Sequence, residues 1–454
     1  MRPDFAGDVE QFPNAARYFI DVTVTFNADG SATLIGRERI RYTNRQTFAL
    51  DDIYLMLWPN HGDQYLSRMT LDRVTLAGDA VRPELQHDGL AARVALPDPL
   101  EPGASVELGA EFSVEAFAGI EDRAARFGLT NGVLLAPTFY PLIPRITSNG
   151  AWQTMPAPEG GDTTNSDTAL YVWRVTAPAS LALVATGSVV ETTQSGDTQT
   201  HLLVTGPMRD LALVVGPLEL RQRAVDGIML NAYVLKRHAR LATGLLDYAE
   251  GQMRTLQALV GSYPFAELDV VDAPGAFGGI EYPGVIFVGA VDDSGFSENA
   301  TVHEVGHQWF YSLIGDDQLL EPWLDEGAAS YTEVLYAEHV YGPQAAEAAL
   351  EEFRGYLEFT DNPELPIGLP VGDYVSGGDY AVIVYGKGAL FFDALRAELG
   401  DRAFFGFLQN YYAAYRYGFA TSAGFQAEAE ETCACDLDDL FDIWVYNGGP
   451  IAGP

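Results

Sequence analysis

The feature that most constrains the fold is a change in hydrophobic pattern near Gly216-Pro217. Before this point, apolar and polar residues alternate in short runs, as at residues 18–26 and 31–42, and turn residues separate the runs. Such runs are typical of β-strands joined in hairpins. After it, longer segments with helical periodicity dominate. The sequence therefore predicts an α+β protein of two domains, with an all-β sandwich or large curved sheet at residues 1–217 and a mostly α-helical domain at residues 218–454.

The individual elements follow from the same periodicities. Further strands are predicted at residues 53–58, 93–96, 105–112, 170–176, 181–187, 201–205, 211–215, 228–235 and 268–271. Helices are predicted at residues 239–260, 299–314, 326–341, 343–360, 384–399, 402–417, 422–431 and 437–445.

Composition excludes several classes of protein. The chain has 454 residues, 48% of them hydrophobic, which is ample for two sizeable cores. Its 26 basic residues stand against 63 acidic ones, a net charge of -37 that argues against nucleic-acid binding. We expect no transmembrane segment and no export signal in this chain, because it contains neither a long apolar run nor an apolar signal region at its start. Compartment and oligomeric state are not readable, with a location outside the cytoplasm slightly favoured.

One motif carries most of the chemistry. In His303-Glu304-Val305-Gly306-His307, the two histidines are four residues apart, so a helix places both imidazoles on one face, where they can bind one metal ion. Glu304 lies beside that face and is a candidate general base for a metal-activated water. Glu326, in the next predicted helix, is the candidate third ligand. Two histidines, one glutamate and an open position form the catalytic zinc pattern, which predicts one Zn²⁺ per chain.

The alternative is an ordinary amphipathic helix whose histidines are satisfied by hydrogen bonds. The chain has only seven histidines, so the motif is unlikely to arise by chance, and the metal hypothesis is favoured. Glu333 lies two helical turns after Glu326 and is either an exposed glutamate or the acceptor for the free ring nitrogen of a ligand histidine. Asp325, just before the third ligand, is expected to point elsewhere. Cys433 and Cys435 are one residue apart and are expected to be ordinary, unbridged residues.

Four motifs resemble one family in their order and spacing. They are Gly278-Gly279-Ile280-Glu281-Tyr282-Pro283, His303-Glu304-Val305-Gly306-His307-Gln308-Trp309-Phe310, Glu321-Pro322-Trp323-Leu324-Asp325-Glu326-Gly327 and Tyr385-Gly386-Lys387-Gly388. Together they resemble the zinc aminopeptidases of the aminopeptidase N type, the gluzincin metallopeptidases. The resemblance implies a β-rich, saddle-like domain before a thermolysin-like catalytic domain, in a short, bacterial-like form that lacks the family's C-terminal helical domain.

The resemblance also implies roles for residues outside the zinc motif. Glu281 matches the family's glutamate that binds the substrate's free α-amino group, and Gly278 and Gly279 would let the backbone approach the peptide closely. Ile280 and Tyr282 replace the methionine and asparagine that are commoner there. Tyr385 matches the tyrosine that donates a hydrogen bond to the oxyanion of the tetrahedral intermediate.

The expected function is therefore that of a zinc aminopeptidase, with peptides carrying a free N-terminus as substrates and no nucleic-acid partner. Two alternatives stay open. One is an endopeptidase or another zinc hydrolase on the same scaffold, and the other is a catalytically inactive peptide-binding protein. The preferred N-terminal residue is not readable, because scattered side chains build the pocket that selects it.

Overall fold

The computed structural model describes residues 1–62, 65–119, 126–158, 161, 166–275, 278–289 and 295–450. Contacts divide the chain into two compact units, which we call the β-rich unit and the helical unit. The β-rich unit comprises Met1–Pro156, Thr164–Leu246 and Pro264–Asp293, and the helical unit comprises Ala157–Thr163, Asp247–Tyr263 and Ser294–Pro454. The β-rich domain followed by a helical domain, predicted from the sequence, is confirmed, whereas the domain boundary at residues 217 and 218 stays a prediction.

All the described strands belong to the β-rich unit. They are β1 (Arg17–Phe26), β2 (Ala32–Thr43), β3 (Leu50–Met56), β4 (Ser67–Leu76), β5 (Asp79–Val81), β6 (Glu84–Gln86), β7 (Ala91–Leu100), β8 (Ser105–Ala116), β9 (Gly128–Thr130), β10 (Val133–Pro137), β11 (Leu170–Pro178), β12 (Ala182–Ala185), β13 (Ser188–Ser195), β14 (Thr198–Val204), β15 (Ala212–Gly216), β16 (Leu218–Val225), β17 (Ile228–Leu235), β18 (Glu267–Asp272), β19 (Gly279–Tyr282) and β20 (Val285–Val288).

Among the described residues, these strands form four sheets. The largest has the order β13-β14-β11-β1-β2-β8-β4-β5, and its centre is the predicted hairpin, in which β1 and β2 pair antiparallel with Val22 opposite Gly36. Alternate residues of β2 are buried, among them Leu34 and Ile40, so one face of this sheet packs against the interior. Two smaller sheets have the orders β12-β15-β10-β9 and β3-β7-β6.

The fourth sheet, with the order β16-β17-β18-β20-β19, carries the glutamate that was predicted to bind the substrate amine. Residues of this sheet share a core with the sheet that contains β10 and β15, through buried side chains such as Leu135, Val214, Val271 and Phe287. Strand β19 forms one edge of the sheet, where it pairs antiparallel with β20. The short strand β19 is thereby supported by a well-packed core.

Helices occupy the later part of the chain. They are α1 (Ala242–Leu259), α2 (Phe296–Gly306), α3 (Glu326–Tyr341), α4 (Pro343–Tyr356), α5 (Gly377–Tyr380), α6 (Gly388–Leu399), α7 (Asp401–Tyr415), α8 (Ser422–Cys433) and α9 (Asp438–Phe441). The predicted bounds of α3 agree at both ends with the structure. None of the helices in the described ranges combines the length and the hydrophobicity needed to cross a bilayer.

Three helix predictions need correction. Helix α2 ends at Gly306 rather than at residue 314, because the chain turns back where Tyr311 adopts a φ of 108° and donates its backbone N–H to Ile314 (2.8 Å). The predicted helix at residues 384–399 is a π-helical segment, Ala381–Lys387, that continues into α6. The last predicted helix similarly divides into α9 and a π-helical segment, Asp442–Tyr446.

Cys433 and Cys435 form a disulfide, so the prediction of unbridged cysteines was wrong. The intervening Ala434 has a left-handed backbone with a φ of 53°, and it ends α8. This conformation leaves the two Cα atoms 5.2 Å apart, within the usual bridging range. Spacing in the sequence alone does not reveal such a turn.

Aromatic packing supports the start of α3. The ring of Trp323, just before the helix, is fully buried and contacts Phe391 of α6 and Phe425 of α8 at centroid distances of 5.3 and 5.0 Å. Its indole N–H donates to the Ser422 hydroxyl at 2.9 Å. These contacts from two helices hold the N-terminus of α3 in place, and that N-terminus carries the predicted third ligand.

Candidate metal centre

The two histidines of the motif lie on and just beyond the last turn of α2. His303 is within the helix, and His307 is the residue after its end, but His307 keeps helical backbone angles of -64° and -14°. The two rings are therefore one turn apart, as predicted, with their Nε2 atoms 3.0 Å from each other. The early end of the helix does not disturb the pair.

Glu326 completes the cluster from the first residue of α3. Its Oε2 atom lies 3.1 Å from Nε2 of His303 and 3.2 Å from Nε2 of His307. The three predicted ligands, His303, His307 and Glu326, thus bring one donor atom each to a common point. The spacing of 18 residues between His307 and Glu326 is spanned by the chain reversal after α2 and by a 3-10 turn, Pro322–Leu324.

The chemistry of these donors fits a cation. Zinc bound at 2.0–2.2 Å by nitrogen and oxygen ligands in a tetrahedron holds those ligands roughly 3.3 Å apart, close to the separations seen here. The Nδ1 atom of His303 faces Oε1 of Glu333 at 2.9 Å, and Nδ1 of His307 faces Oδ1 of Asp325 at 2.5 Å. Protons on both Nδ1 atoms leave lone pairs on both Nε2 atoms, directed at the same point.

Each ligand histidine therefore has its own carboxylate partner. For Glu333, the sequence left open an exposed glutamate or an acceptor for a ligand histidine, and the contact with His303 is the second of these. For Asp325 the expectation that it points elsewhere was wrong, because its backbone after the 3-10 turn directs its side chain at the His307 ring. Its second oxygen accepts a hydrogen bond from the Gln318 amide at 2.6 Å, a residue that the sequence analysis did not consider.

Electrostatics favour positive charge at this point. Burial lowers the pKa of His303, but the hydrogen bonds that its ring donates to Glu326 and Glu333 outweigh this effect and raise the pKa to about 10. Burial conversely raises the pKa of the Glu326 carboxyl, and the two histidines outweigh it and hold the pKa well below its usual range. The cluster thus stabilises a cation between the imidazoles and the carboxylate, as a proton or as a metal ion.

Glu304 lies between the ligands in sequence, on the last turn of α2. Its side chain is buried, with 4% of its surface exposed. A glutamate held out of bulk water next to the two ligands is the arrangement that a general base for a metal-activated water requires. Its place agrees with the prediction, and its role stays a prediction.

Tyr385 approaches the cluster from the π-helical segment. Its hydroxyl donates to Oε1 of Glu326 at 2.6 Å, and its ring stacks on the His303 ring with centroids 5.8 Å apart and planes 16° apart. Glu326 therefore faces the two histidines with one oxygen and the phenol with the other. π-Helical turns are rare and frequently occur at functional sites.

The residues predicted to bind the substrate lie in the β-rich unit. Glu281 is in the middle of β19, opposite Ile286 of β20, and is 6% exposed. Gly279 begins the strand, and the carbonyl of Gly278 accepts the backbone N–H of Gly289 at 2.9 Å. The strand placement agrees with the resemblance, and the three substrate-binding roles stay predictions.

Comparison with known proteins agrees with this geometry. Residues 259–444 match the profile of the peptidase family M1 domain, a range that includes every residue of the cluster described above. This part of the chain is similar to the peptidase family M1 domain. The family resemblance predicted from the sequence is confirmed.

Characterised relatives of the M1 domain are distant in sequence. Aminopeptidase M1-B of Oryza sativa subsp. japonica is 23% identical over 303 residues, which are 60% of this chain and 33% of that protein. Aminopeptidase N of Streptomyces lividans is 26% identical over 206 residues, 41% of this chain and 24% of that protein. The chain thus spans about a third or less of the length of these two relatives.

A solved structure matches nearly the whole chain. The M1 zinc metallopeptidase of Deinococcus radiodurans has a TM-score of 0.73 at 22% identity, with 97% of this chain and 96% of that chain covered. A mutant of that protein, bound to a Tyr-Ser-Ala substrate, matches with a TM-score of 0.72. The fold is therefore that of a two-domain M1 peptidase, and zinc, predicted from the sequence, is the metal that the family implies and that His303, His307 and Glu326 fit.

Proposed function

We propose that the protein is a zinc aminopeptidase that removes N-terminal residues from peptides. The observation that carries the proposal is the position of Glu326. One of its oxygens faces both histidines, and the other accepts a hydrogen bond from the Tyr385 hydroxyl. The Glu326 carboxylate thus lies next to both ligand histidines and to a phenolic donor, and all four residues are in the range that matches the family M1 domain.

The reaction follows from the side chains at that point. His303, His307 and Glu326 would hold zinc, which would supply Lewis acidity for a carbonyl oxygen and lower the pKa of a water molecule. Glu304 takes the proton of the attacking water and delivers it to the leaving amine. The Tyr385 hydroxyl turns from Glu326 to the carbonyl oxygen and stabilises its developing negative charge.

Preference for a free N-terminus is assigned to Glu281. A buried carboxylate on an edge strand pairs strongly with an ammonium group, and a fixed partner for the α-amino group sets which peptide bond is attacked. The names of the relatives support this assignment, because Aminopeptidase M1-B and Aminopeptidase N are both aminopeptidases.

A panel of peptides with free or acetylated N-termini, given to the wild type and to Glu304→Gln, tests this function. We expect zinc-dependent release of the first residue from free peptides, none from acetylated ones, and loss of turnover in the variant with zinc retained. Equal cleavage of acetylated peptides identifies an endopeptidase. No turnover by a zinc-loaded wild type identifies a binding protein.

We also propose that the protein acts outside the cytoplasm. The Cys433–Cys435 disulfide supports this, since disulfides persist mainly in oxidising compartments. Titration of free thiols in protein taken directly from its native cells tests the proposal. Two free thiols per chain contradict it.

A further inference from the structure

Lys387 is a buried cation close to the metal centre that the proposed mechanism does not use. The chain has only two lysines, Lys236 and Lys387, among its 26 basic residues. Lys236 is exposed, whereas Lys387 has 0% of its surface exposed. A chain that uses arginine almost everywhere else has a compact ammonium group at this position.

The ammonium group connects three segments of the helical unit. Its Nζ donates to the backbone carbonyls of Pro363 at 3.0 Å and Leu365 at 2.8 Å. It also lies 5.9 Å from the centre of the Trp444 ring, within range of a cation–π contact. Lys387 itself is the last residue of the π-helical segment that carries Tyr385.

The 363–365 loop, which accepts the hydrogen bonds of Lys387, is itself bonded to the C-terminal segment. The backbone N–H of Ile367 donates to the Trp444 carbonyl at 2.9 Å, and that of Gly449 donates to the Glu364 carbonyl at 2.9 Å. The hydroxyl of Tyr374 donates to the Ile367 carbonyl at 2.9 Å. The acceptors of Lys387 are therefore held in place and can restrain the lysine.

A second contact restrains the same segment. Gly388, the residue after Lys387, packs so closely against Gly327 that a Cβ atom on Gly388 would lie 2.9 Å from the Gly327 Cα. Gly327 follows the ligand Glu326 directly in the chain. The turn from the π-helical segment into α6 is thus pressed against the start of α3.

Stability alone does not account for the lysine. Burial lowers the pKa of Lys387 to about 8, which shows that this environment disfavours its charge, and its two hydrogen-bond acceptors are neutral carbonyls. Burying a charge without an oppositely charged partner costs free energy. A role in placing a neighbouring group explains why a cation is found there.

We propose that Lys387 is a positioning residue for Tyr385, which lies two residues before it. By holding the last turn of the π-helical segment against the 363–365 loop, Lys387 keeps the Tyr385 hydroxyl beside Glu326 and the metal ligands. This inference rests on the proposed function, because Tyr385 acts there as the oxyanion donor. Lys387 itself does not contact the substrate in this proposal and affects the reaction only through the position of Tyr385.

The test is a double-mutant cycle of Lys387→Met and Tyr385→Phe, with kcat and KM measured for one aminoacyl-anilide. In the wild-type background, we expect Lys387→Met to lower kcat on the order of 10-fold and to change KM by less than about 2-fold, because a displaced donor weakens the transition state alone. In the Tyr385→Phe background, it should change kcat by less than about 2-fold, since the donor is already absent.

Two further variants guard against trivial explanations. Lys236→Met, at the exposed lysine, should leave kcat unchanged. Lys387→Arg keeps the charge and has N–H donors for the same carbonyls, but it needs more space, so its kcat should fall between those of the wild type and Lys387→Met. A loss of kcat by Lys387→Met that is equally large in both backgrounds overturns the proposal, as does an unchanged kcat.

Calorimetry separates this proposal from the proposed function. A phosphinic dipeptide analogue carries an oxygen where the oxyanion forms, whereas a free amino acid does not. We expect Lys387→Met to weaken binding of the analogue to the zinc-loaded protein on the order of 10-fold and to spare the free amino acid. If the wild type hydrolyses no peptide, the proposed function fails, and the positioning role stands or falls on this binding difference. Equal weakening of both ligands overturns the positioning role.

Discussion

The carboxylates of the metal centre, in the helical unit, and Glu38, in the β-rich unit, have opposite surroundings. In the helical unit, Asp325, Glu326 and Glu333 each face a histidine within 3.2 Å. In the β-rich unit, Glu38 points inward from β2 with 5% exposure, and among the described residues neither of its carboxylate oxygens has a hydrogen-bond partner.

The difference shows what each unit does with buried charge. Beside two histidines, Glu326 keeps a pKa well below its usual range and creates a place for a cation, whereas burial raises the pKa of its more distant neighbour Glu333 despite the hydrogen bond to His303. Alone among apolar and phenolic neighbours, a carboxyl group is driven to its neutral form, and burial accordingly raises the pKa of Glu38 well above its usual range. The buried carboxylates around His303 and His307 thus mark a candidate metal centre, whereas the buried carboxyl group of Glu38 is a cost to stability.

The largest effect is expected for Glu304, which is assigned neither as a metal ligand nor as the partner of a ligand histidine. Glu304→Gln should lower kcat by about 10²–10⁴-fold with one zinc still bound, because the variant loses the proton acceptor and keeps every ligand. Steady-state kinetics and metal analysis of the same preparation measure both quantities. A matched control is Glu298→Gln, six residues earlier and on the first turn of α2. If zinc is lost together with activity, the separation of base from ligands is wrong.

The next largest effect is expected for the Tyr385 hydroxyl, which donates a hydrogen bond to Glu326. Tyr385→Phe should lower kcat by about 10²–10³-fold, with KM nearly unchanged, because the donated hydrogen bond is made in the transition state. The ring stacking on His303 is retained in phenylalanine. Kinetics on an aminoacyl-anilide measure the effect, and a rise in KM without loss of kcat contradicts the assignment.

A smaller effect compares the two histidine partners. The His307–Asp325 pair has side-chain exposures of 1% and 1%, against 12% and 21% for His303–Glu333. Loss of such a partner weakens metal binding by about 10–100-fold. We expect Asp325→Asn to weaken zinc binding by about 100-fold and Glu333→Gln by about 10-fold, since water can replace the more exposed carboxylate. Zinc competition against a chromophoric chelator gives the two affinities, and the reverse order would refute the argument from burial.

The sequence predicted those parts of the site that depend on local geometry. The four-residue spacing of His303 and His307 places both rings on one face wherever the chain is helical there. Asp325 was missed because its direction depends on a 3-10 turn and on a chain reversal that no periodicity reveals. The strands β10 and β20 were missed, because they are short and buried throughout and so show no alternation. The strands β15 and β18 also lack alternation, but they were predicted from their short apolar runs.

The smallest effect tests the β-rich side of the comparison through pH. The folded state raises the pKa of Glu38, so between its unfolded pKa, about 4.3, and its folded pKa the native protein holds a proton that the unfolded chain has lost. The stability that this proton gives is fully present below pH 4.3 and is lost as pH rises, by about 1.4 kcal/mol per pH unit within that window.

Glu38→Gln, which is always neutral, should therefore match the wild type near pH 4 and become more stable than it as pH rises towards 7. Urea unfolding at pH 4, 5.5 and 7 measures the difference. Glu191→Gln, at an exposed position of β13, is the control and should show no such trend. Activity should be unchanged, because Glu38 lies on β2 in the large sheet and not in the metal centre. A stability difference that is constant with pH would mean that Glu38 stays ionised in the fold, and the contrast between the two units would then disappear.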